Sequence, residues 1–333
     1  MDLSIIVPVY NVEPFIRTCI ESIFRQGIDD SRFEVIIVND GSRDRSMVAI
    51  ADIIARHSNI TVINQTNQSL SVARNNGLAV AKGEYIMMPD SDDLLIPNSL
   101  CPLLDKALET RADMIIADFK RMTSTEIDAF QGTGLPQPEF TEKTGRQMFV
   151  DDMNPYECYV WRTLYRREFI SENNLRFIPG INYQDIPFTH ECYLKAGKCI
   201  RSTQTLYIYR QERPGAASMF FTTKKARSMA VAIGAVWKML GNSSLSASER
   251  YKLEENIYTT VSLMIFRTLH CIAKRTERNE VMDILREEVP DLRFTHTVRQ
   301  RLTSYMLKHH PHTFINLYYA YYQRTHNTST NTN

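Results

Sequence analysis

The chain has 333 residues, 43% of them hydrophobic, enough for one large domain with an extension or for two domains. Its 39 Lys and Arg against 38 Asp and Glu leave a formal net charge of +1, which gives no overall pull toward nucleic acid. Six cysteines without a C-x-x-C pair read as reduced thiols of a cytoplasmic protein, not as disulfides or a zinc site.

Met1 leads directly into an apolar run, so no signal segment is expected. No stretch reaches the roughly 18 apolar residues of a spanning helix. Residues 3–9 are continuously apolar and end in Pro8-Val9-Tyr10-Asn11, the pattern of a central parallel strand. Asn11 is expected to cap the next helix, with Pro14 in its first turn. Phe15, Cys19, Ile20 and Ile23 recur at helical spacing, and Gly27 marks the stop. A second strand over 34–38 empties into Asn39-Asp40-Gly41-Ser42. A helix to about 57, a strand at 61–64, a helix over 70–81 and a strand at 85–88 follow. This alternation predicts an α/β fold with a doubly wound, mostly parallel sheet.

The strand at 85–88 runs into Pro89-Asp90-Ser91-Asp92-Asp93. In extended chain, residues i and i+2 point the same way, so Asp90 and Asp92 can face one site. That site lies at a strand's carboxyl end, where open α/β sheets bind ligands. Two carboxylates there suit a small hard cation, Mg²⁺ or Mn²⁺, with phosphate oxygens filling other positions. The same residues also read as a solvated acidic loop capping the next helix.

Pro97 helps start a helix to about 110, and 113–119 is a further strand. Residues 123–142, rich in Gly, Pro, Thr and Gln, read as a long surface loop. Helical spacing resumes at 145–153, 165–173 and 185–196, the last closed by Gly197, and His190 reads as a satisfied helix residue. Two strands are expected at 198–202 and 206–210. Past about 222 strand signals vanish, leaving an α-helical C-terminal extension with long helices at 224–240 and 249–274. In the latter Leu253, Ile257, Val261, Met264 and Leu269 lie close to one stripe.

No carboxylate side chain follows Asp291, whereas Arg293, Arg299, Arg301, Lys308 and Arg324 do, with seven aromatics. A basic, aromatic segment at 292–324 suits an anionic membrane surface. It also reads as a helical cap with its aromatics packed inward. His309-His310-Pro311-His312 reads as a solvated cluster, because Pro311 breaks helical register.

Taken together, Ser4-Ile-Ile-Val-Pro-Val-Tyr-Asn11, Val38-Asn-Asp-Gly-Ser42, Ser71-Val-Ala-Arg-Asn75, Lys82-Gly-Glu-Tyr85 and Pro89-Asp-Ser-Asp-Asp93 resemble the family 2 glycosyltransferases. These are inverting enzymes with a GT-A type fold. The likeness is dense over the first 120 residues. Trp161-Arg-Thr-Leu-Tyr165, Tyr183-Gln-Asp-Ile-Pro-Phe188 and residues 207–218 extend it. With the composition change it implies a transferase domain at 1–220, divided into a donor-binding half (1–120) and an acceptor half (121–220). A helical region at 221–325 and a disordered tail at 326–333 complete the chain.

The resemblance also implies roles. Pro8, Val9 and Tyr10 would hold the nucleotide base, and Asp40 would accept a base N–H, since a carboxylate only accepts. Arg74 would reach the nucleotide, Asp90 the ribose, and Asp92 the cation bridging the diphosphate. Asp93 is expected to cap the following helix. Asp185 would be the catalytic base, matching the aspartate of the family's Glu-Asp pair, which here reads Gln184-Asp185. Arg210 and Arg213 would contact diphosphate or acceptor around a turn whose Gly215-Ala216-Ala217-Ser218 departs from the family's Gly-Ser. Local alternatives stand beside these: Tyr10 as a packed strand-end ring, Asp40 as turn chemistry, Arg74 in a surface ion pair, Asp185 as a helix cap.

The activity so implied is transfer of a sugar, with inversion and metal dependence, from a UDP-linked donor to a saccharide or lipid-linked glycan in surface polysaccharide assembly. The protein would be cytoplasmic and peripheral on the inner face of the cell membrane. Two rivals differ in class. One is a non-catalytic nucleotide-sugar or glycan-binding module, motivated by Gln184 and Ala216-Ala217. The other is a sugar nucleotidyltransferase, which would want a glycine-rich phosphate loop where Pro8-Val9-Tyr10-Asn11 stands.

Overall fold

The computed structural model describes residues 1–130, 132, 136–211 and 220–326. They form two compact units. The first takes in Met1–Asp152, Cys158–Gly180 and Phe188–Pro214; the second takes in Met153–Glu157, Ile181–Pro187 and Gly215–Asn333.

The first unit is built on one mixed sheet. Its strands are β1 (Leu3–Val9), β2 (Phe33–Asn39), β3 (Ile60–Asn64), β4 (Tyr85–Met87), β5 (Leu94–Leu95), β6 (Met114–Met122), β7 (Phe140–Lys143), β8 (Thr163–Arg166) and β9 (Cys199–Arg210). The order is β3-β2-β1-β4-β8-β6-β9-β5, with β7 also paired to β9. Strands β1 to β4 run parallel, as the strand–helix alternation predicts, and β8 enters antiparallel between β4 and β6. Around the sheet lie α1 (Glu13–Ile23), α2 (Ser46–Ala49), α3 (Ala51–Arg56), α4 (Leu70–Val80), α5 (Cys101–Thr110), α6 (Ser124–Ala129), α7 (Gly145–Asp151), α8 (Arg167–Glu172) and α9 (Asp185–Lys195).

The unbroken apolar run of β1 follows from burial on both faces. Leu3, Ile5, Val7 and Val9 enter one core with Ile16, Ile20, Leu103 and Leu104, while Ile6 enters the other with Ile36, Val38 and Ala73. Lys82 and Gly83 then bind the sheet's lower edge. Both backbone N–H groups donate to Ser4 Oγ, and Lys82 N–H also reaches Glu34. Gly83 is required there, because a Cβ would sit 2.4 Å from the backbone carbon of Leu3.

Four local expectations change. The helix expected over 165–173 starts only at Arg167. Leu164 and Tyr165 alternate into opposite cores, a period-two pattern too short to stand out in the sequence. The two strands expected at 198–202 and 206–210 are one strand, whose pairing with β6 is irregular near Asp118, so the polar Ser202-Thr203-Gln204 is a bulge and not a break. Within 123–142, Thr123 and Glu126 form a reciprocal capping box that opens α6, and Phe140–Lys143 pairs with β9 as β7. Asn11 does not cap α1. Its φ of 51° turns the side chain to accept from Arg43 N–H, and Asp44 and Ser46 instead accept from Glu13 and Val12 N–H.

The second unit is helical: α10 (Thr223–Met239), α11 (Ala247–Cys271), α12 (Arg275–Glu288), α13 (Val298–His309) and α14 (Pro311–His326). The stripe expected on α11, Leu253 to Leu269, is buried, and α11 packs against α10, α12 and α14. Residues 327–333, most of the expected tail, lie outside the described residues. Among the described residues no helix is long and apolar enough to cross a membrane. All six cysteines are free thiols.

Candidate functional site

Parallel pairing sets β2, β1 and β4 side by side, so the loops at their carboxyl ends share one rim of the sheet. Pro8 and Val9 lie at the end of β1, and the Tyr10 ring beyond them is exposed. The β2 loop is organised by Asp40, a buried carboxylate. Its Oδ1 accepts from Gln65 Nε2 and Gln68 N–H, and its Oδ2 from Asn67 Nδ2 and Ser69 N–H. Those four bonds match a carboxylate's accepting capacity. As placed, Asp40 ties the β2 loop to the segment leading into α4. Gly41 completes this turn with a φ of +71°.

The three carboxylates after β4 have different surroundings. Arg74, buried on α4, donates from Nη2 to Asp90 Oδ1 at 2.7 Å. Its guanidinium also lies 5.4 Å from the centre of the Phe177 ring. Arg74 is therefore a residue that holds Asp90, not one extended into open space. Its neighbour Asn75 clamps the Phe177 backbone in both directions, and Ser69 and Ser71 hydroxyls accept from Gly180 N–H. The Ser71–Asn75 motif thus anchors the 175–180 loop.

Asp93 is not a helix cap. It is buried, with Oδ1 accepting from Arg210 N–H at 2.8 Å and Oδ2 from the Tyr207 hydroxyl at 2.9 Å. Burial, and then the charges of Asp92 and Asp90, push its carboxyl well above the usual carboxylate range. Tyr207 also accepts from Asp90 N–H, and its ring stacks on Trp161 at 4.0 Å. Burial raises the Tyr207 phenol strongly, so it stays a neutral donor. Leu94 and Leu95 then add to β9 as β5. The acidic turn is thereby fastened on both sides, and Asp92 lies half-buried between Asp90 and Asp93.

Arg210 supports this turn from within. It is buried, donates from Nε to Asp92 O and from Nη1 to Ser124 Oγ, and lies over the Phe15 ring. Arg213 and the turn after it lie outside the described residues. Asp185 is the first residue of α9, inside the helix expected over 185–196 and not the residue before it that would cap it. Gln184 before it is fully buried, and neither amide atom has a hydrogen-bond partner among the described residues. His190 is buried edge-on to Phe149.

The donor set fits a hard cation that arrives with phosphate. No group of three or more His, Cys, Asp or Glu side chains among the described residues forms a ready cage. Mg²⁺ and Mn²⁺ sites of one or two carboxylates completed by substrate oxygens have that character. Sequence reasoning missed Tyr207 and the latch role of Asp93. The signal was the buried-strand pattern around Tyr207, which gives no hint of its partner 114 residues away.

A family model described as Glycosyl transferase family 2 matches residues 4–173, just over half of the chain. The chain belongs to that family. The uncharacterized glycosyltransferase EpsJ of Bacillus subtilis is 37% identical over 217 residues, 63% of this chain and 61% of that protein. The chain spans about three fifths of the length of the first curated relatives it matches. In fold it is similar to TarS 1–349 of S. aureus in complex with UDP, with a TM-score of 0.71 and 21% identity over 98% of this chain and 92% of that one. It is also similar to the mannosyltransferase PcManGT of Pyrobaculum calidifontis in complex with GDP-Man and Mn²⁺, with a TM-score of 0.56 and 14% identity over 96% and 84% of the two chains.

Proposed function

We propose that this chain transfers a sugar, with inversion, from a UDP-linked donor to a saccharide acceptor, with Mg²⁺ or Mn²⁺ as cofactor. The observation that carries the reading is the acidic turn, in which Asp90 and Asp93 are engaged by Arg74, Tyr207 and Arg210 and hold Asp92 at the strand's carboxyl end. Preorganising a ligand in this way is how a fold prepares an ion site without a full cage. UDP is the donor nucleotide we favour because TarS, a poly(ribitol-phosphate) beta-N-acetylglucosaminyltransferase, is described with UDP and UDP-GlcNAc. That relative's name also motivates a surface polymer, free or lipid-linked, as the acceptor class.

In this reading Pro8, Val9 and Tyr10 border the base, and Asp40 shapes the base pocket through the 65–69 segment. For Asp40 to accept a base N–H directly, one of its four present donors would have to yield. Asp90, fixed by Arg74, meets the ribose, and Asp92 would hold the ion. When bound, the ion supplies Lewis-acid stabilisation of the departing diphosphate. Asp185 removes the acceptor hydroxyl's proton as the new bond forms at the anomeric carbon, worth about 10²–10⁴-fold in rate. Arg210 keeps the Asp92 backbone in place.

Calorimetry with a panel of UDP- and GDP-sugars, with and without Mn²⁺, tests the donor site. Ion-assisted binding of at least one donor is expected, and Asp92→Asn should abolish the assistance. Asp185→Asn should keep donor binding while turnover falls by about 10²–10⁴-fold. No ion-assisted association with any donor would overturn the reading. Donor binding without turnover in the wild type would favour the binding-module alternative.

A further inference from the structure

Helices α13 and α14 carry apolar side chains on the side away from their own unit. On α13, Val298, Leu302 and Tyr305 recur at helical spacing, and Leu302 and Tyr305 are 60% and 54% exposed. Gln300 and Leu307, on the opposite side, are buried. The exposed Arg299 and Arg301 flank the apolar stripe, one on each side. On α14, Leu317 and Tyr321 are 63% and 66% exposed, with Tyr318 beside them, while Ile315 packs inward. Scattered single apolar residues are ordinary on a surface, whereas Leu and Tyr aligned along each of two helices in contact point to an interaction role.

Charge selects the partner. No carboxylate side chain occurs after Asp291. Carboxylates from other helices reach this region at positions off the apolar stripes: Glu255 accepts from Gln300, Glu254 pairs with His296 just before α13, and Asp283 pairs with the half-exposed His312. Lys308 and His309 border a cavity of about 530 Å³ that Asp283 and Glu287 also line, so charge is mixed there and those two bases are left out of the face. What remains is apolar and aromatic, flanked by arginines. Tyr rings suit the boundary between headgroups and acyl chains, and arginines rise to lipid phosphates from beside buried stems.

We infer that the outward side of α13 and α14 is a docking surface for an anionic lipid bilayer, with Leu302, Tyr305, Leu317 and Tyr321 entering the interface and Arg299 and Arg301 meeting phosphates. None of its residues is a donor-site residue, so the inference stands whether or not the proposed transfer reaction holds. It would bring the enzyme to acceptors displayed at a membrane.

The test is vesicle cosedimentation of the full chain. Vesicles of phosphatidylcholine alone are compared with vesicles that also contain phosphatidylglycerol. Binding to the anionic vesicles alone is expected. Leu302→Ser with Tyr305→Ser should weaken it by about tenfold or more. Arg299→Gln with Arg301→Gln should weaken it by on the order of 10-fold and flatten its salt dependence. Melting curves confirm that these surface variants stay folded. Equal binding to neutral and anionic vesicles, no binding by the wild type, or unchanged binding by both variants would overturn the proposal. So would a dimer in light scattering that the Leu302 and Tyr305 changes dissolve without altering lipid binding, because the face would then serve a second copy of this chain.

Discussion

In the sheet unit, polar side chains reach across the sequence: Ser4 to Glu34 and Gly83, Asn75 to Phe177, Asp93 to Tyr207 and Arg210. In the helical unit, many polar bonds are local, such as the reciprocal caps Ser246 with Glu249 and Thr297 with Gln300. The contrast explains why the sheet unit is rich in short motifs and the helices α10 to α14 have none that could be named. A parallel sheet needs its loops tied together over long distances, and the groups that tie them must be of fixed type. A helical bundle needs apolar spacing and caps, which many sequences supply. Changing a motif residue in the sheet unit therefore strikes stability and site together, while changing an outward side chain in the helical unit strikes neither the fold nor the donor site.

The sharpest way to break this comparison is at Arg74. Asp90→Ala leaves a buried guanidinium without its carboxylate, at a cost of about 3 kcal/mol. We take the low end for a buried pair because Asp90 keeps 29% of its side chain in solvent. Urea unfolding should show the loss, and Arg74→Met in the same chain should recover part of it. A cost below about 1 kcal/mol would reduce the pair to an ordinary surface contact. Gly83→Ala comes next. Its Cβ would meet backbone, which cannot swing aside, so about 2 kcal/mol of destabilisation is expected with donor affinity weakened in step. Leu302→Ser in the helical unit, by contrast, should shift stability by no more than about 0.5 kcal/mol. If it costs as much as Gly83→Ala, the distinction between the two units fails.

How much of this was legible in the sequence follows the same division. The parallel core, the position of Asp90 and Asp92 just after β4, and the helix that begins at Asp185 were readable, because apolar runs, strand ends and helical spacing are local signals. So was the α11 stripe, a periodic one. Strand β8 was not, since four residues cannot display a period against the helix that follows. The committed state of Asp40 was hidden for another reason. Its partners Gln65, Asn67, Gln68 and Ser69 become its neighbours only through the β2–β3 pairing, and no spacing rule joins a carboxylate to donors some 25 residues on. Arg74 was legible as important, yet its direction was not: a helix-start arginine can point outward or in, and only packing against Phe177 decides.

The smallest effect concerns pH and sharpens the account of Asp93. A carboxyl whose folded value lies well above its ordinary 3.8 binds its proton more tightly in the native chain than in the unfolded one. Its stabilising contribution is full below that ordinary value and is lost as pH rises through the folded value. Asp93→Asn has no such proton to lose, while its side-chain oxygen can still accept from Arg210 N–H. Melting the two proteins between about pH 4 and pH 8 should therefore give wild type the steeper decline, with Asp93→Asn relatively more stable at the upper end. Identical slopes would mean that Asp93 ionises like a solvated carboxylate. The latch beneath Asp92 would then carry a third negative charge, and the division of roles among Asp90, Asp92 and Asp93 would have to be redrawn.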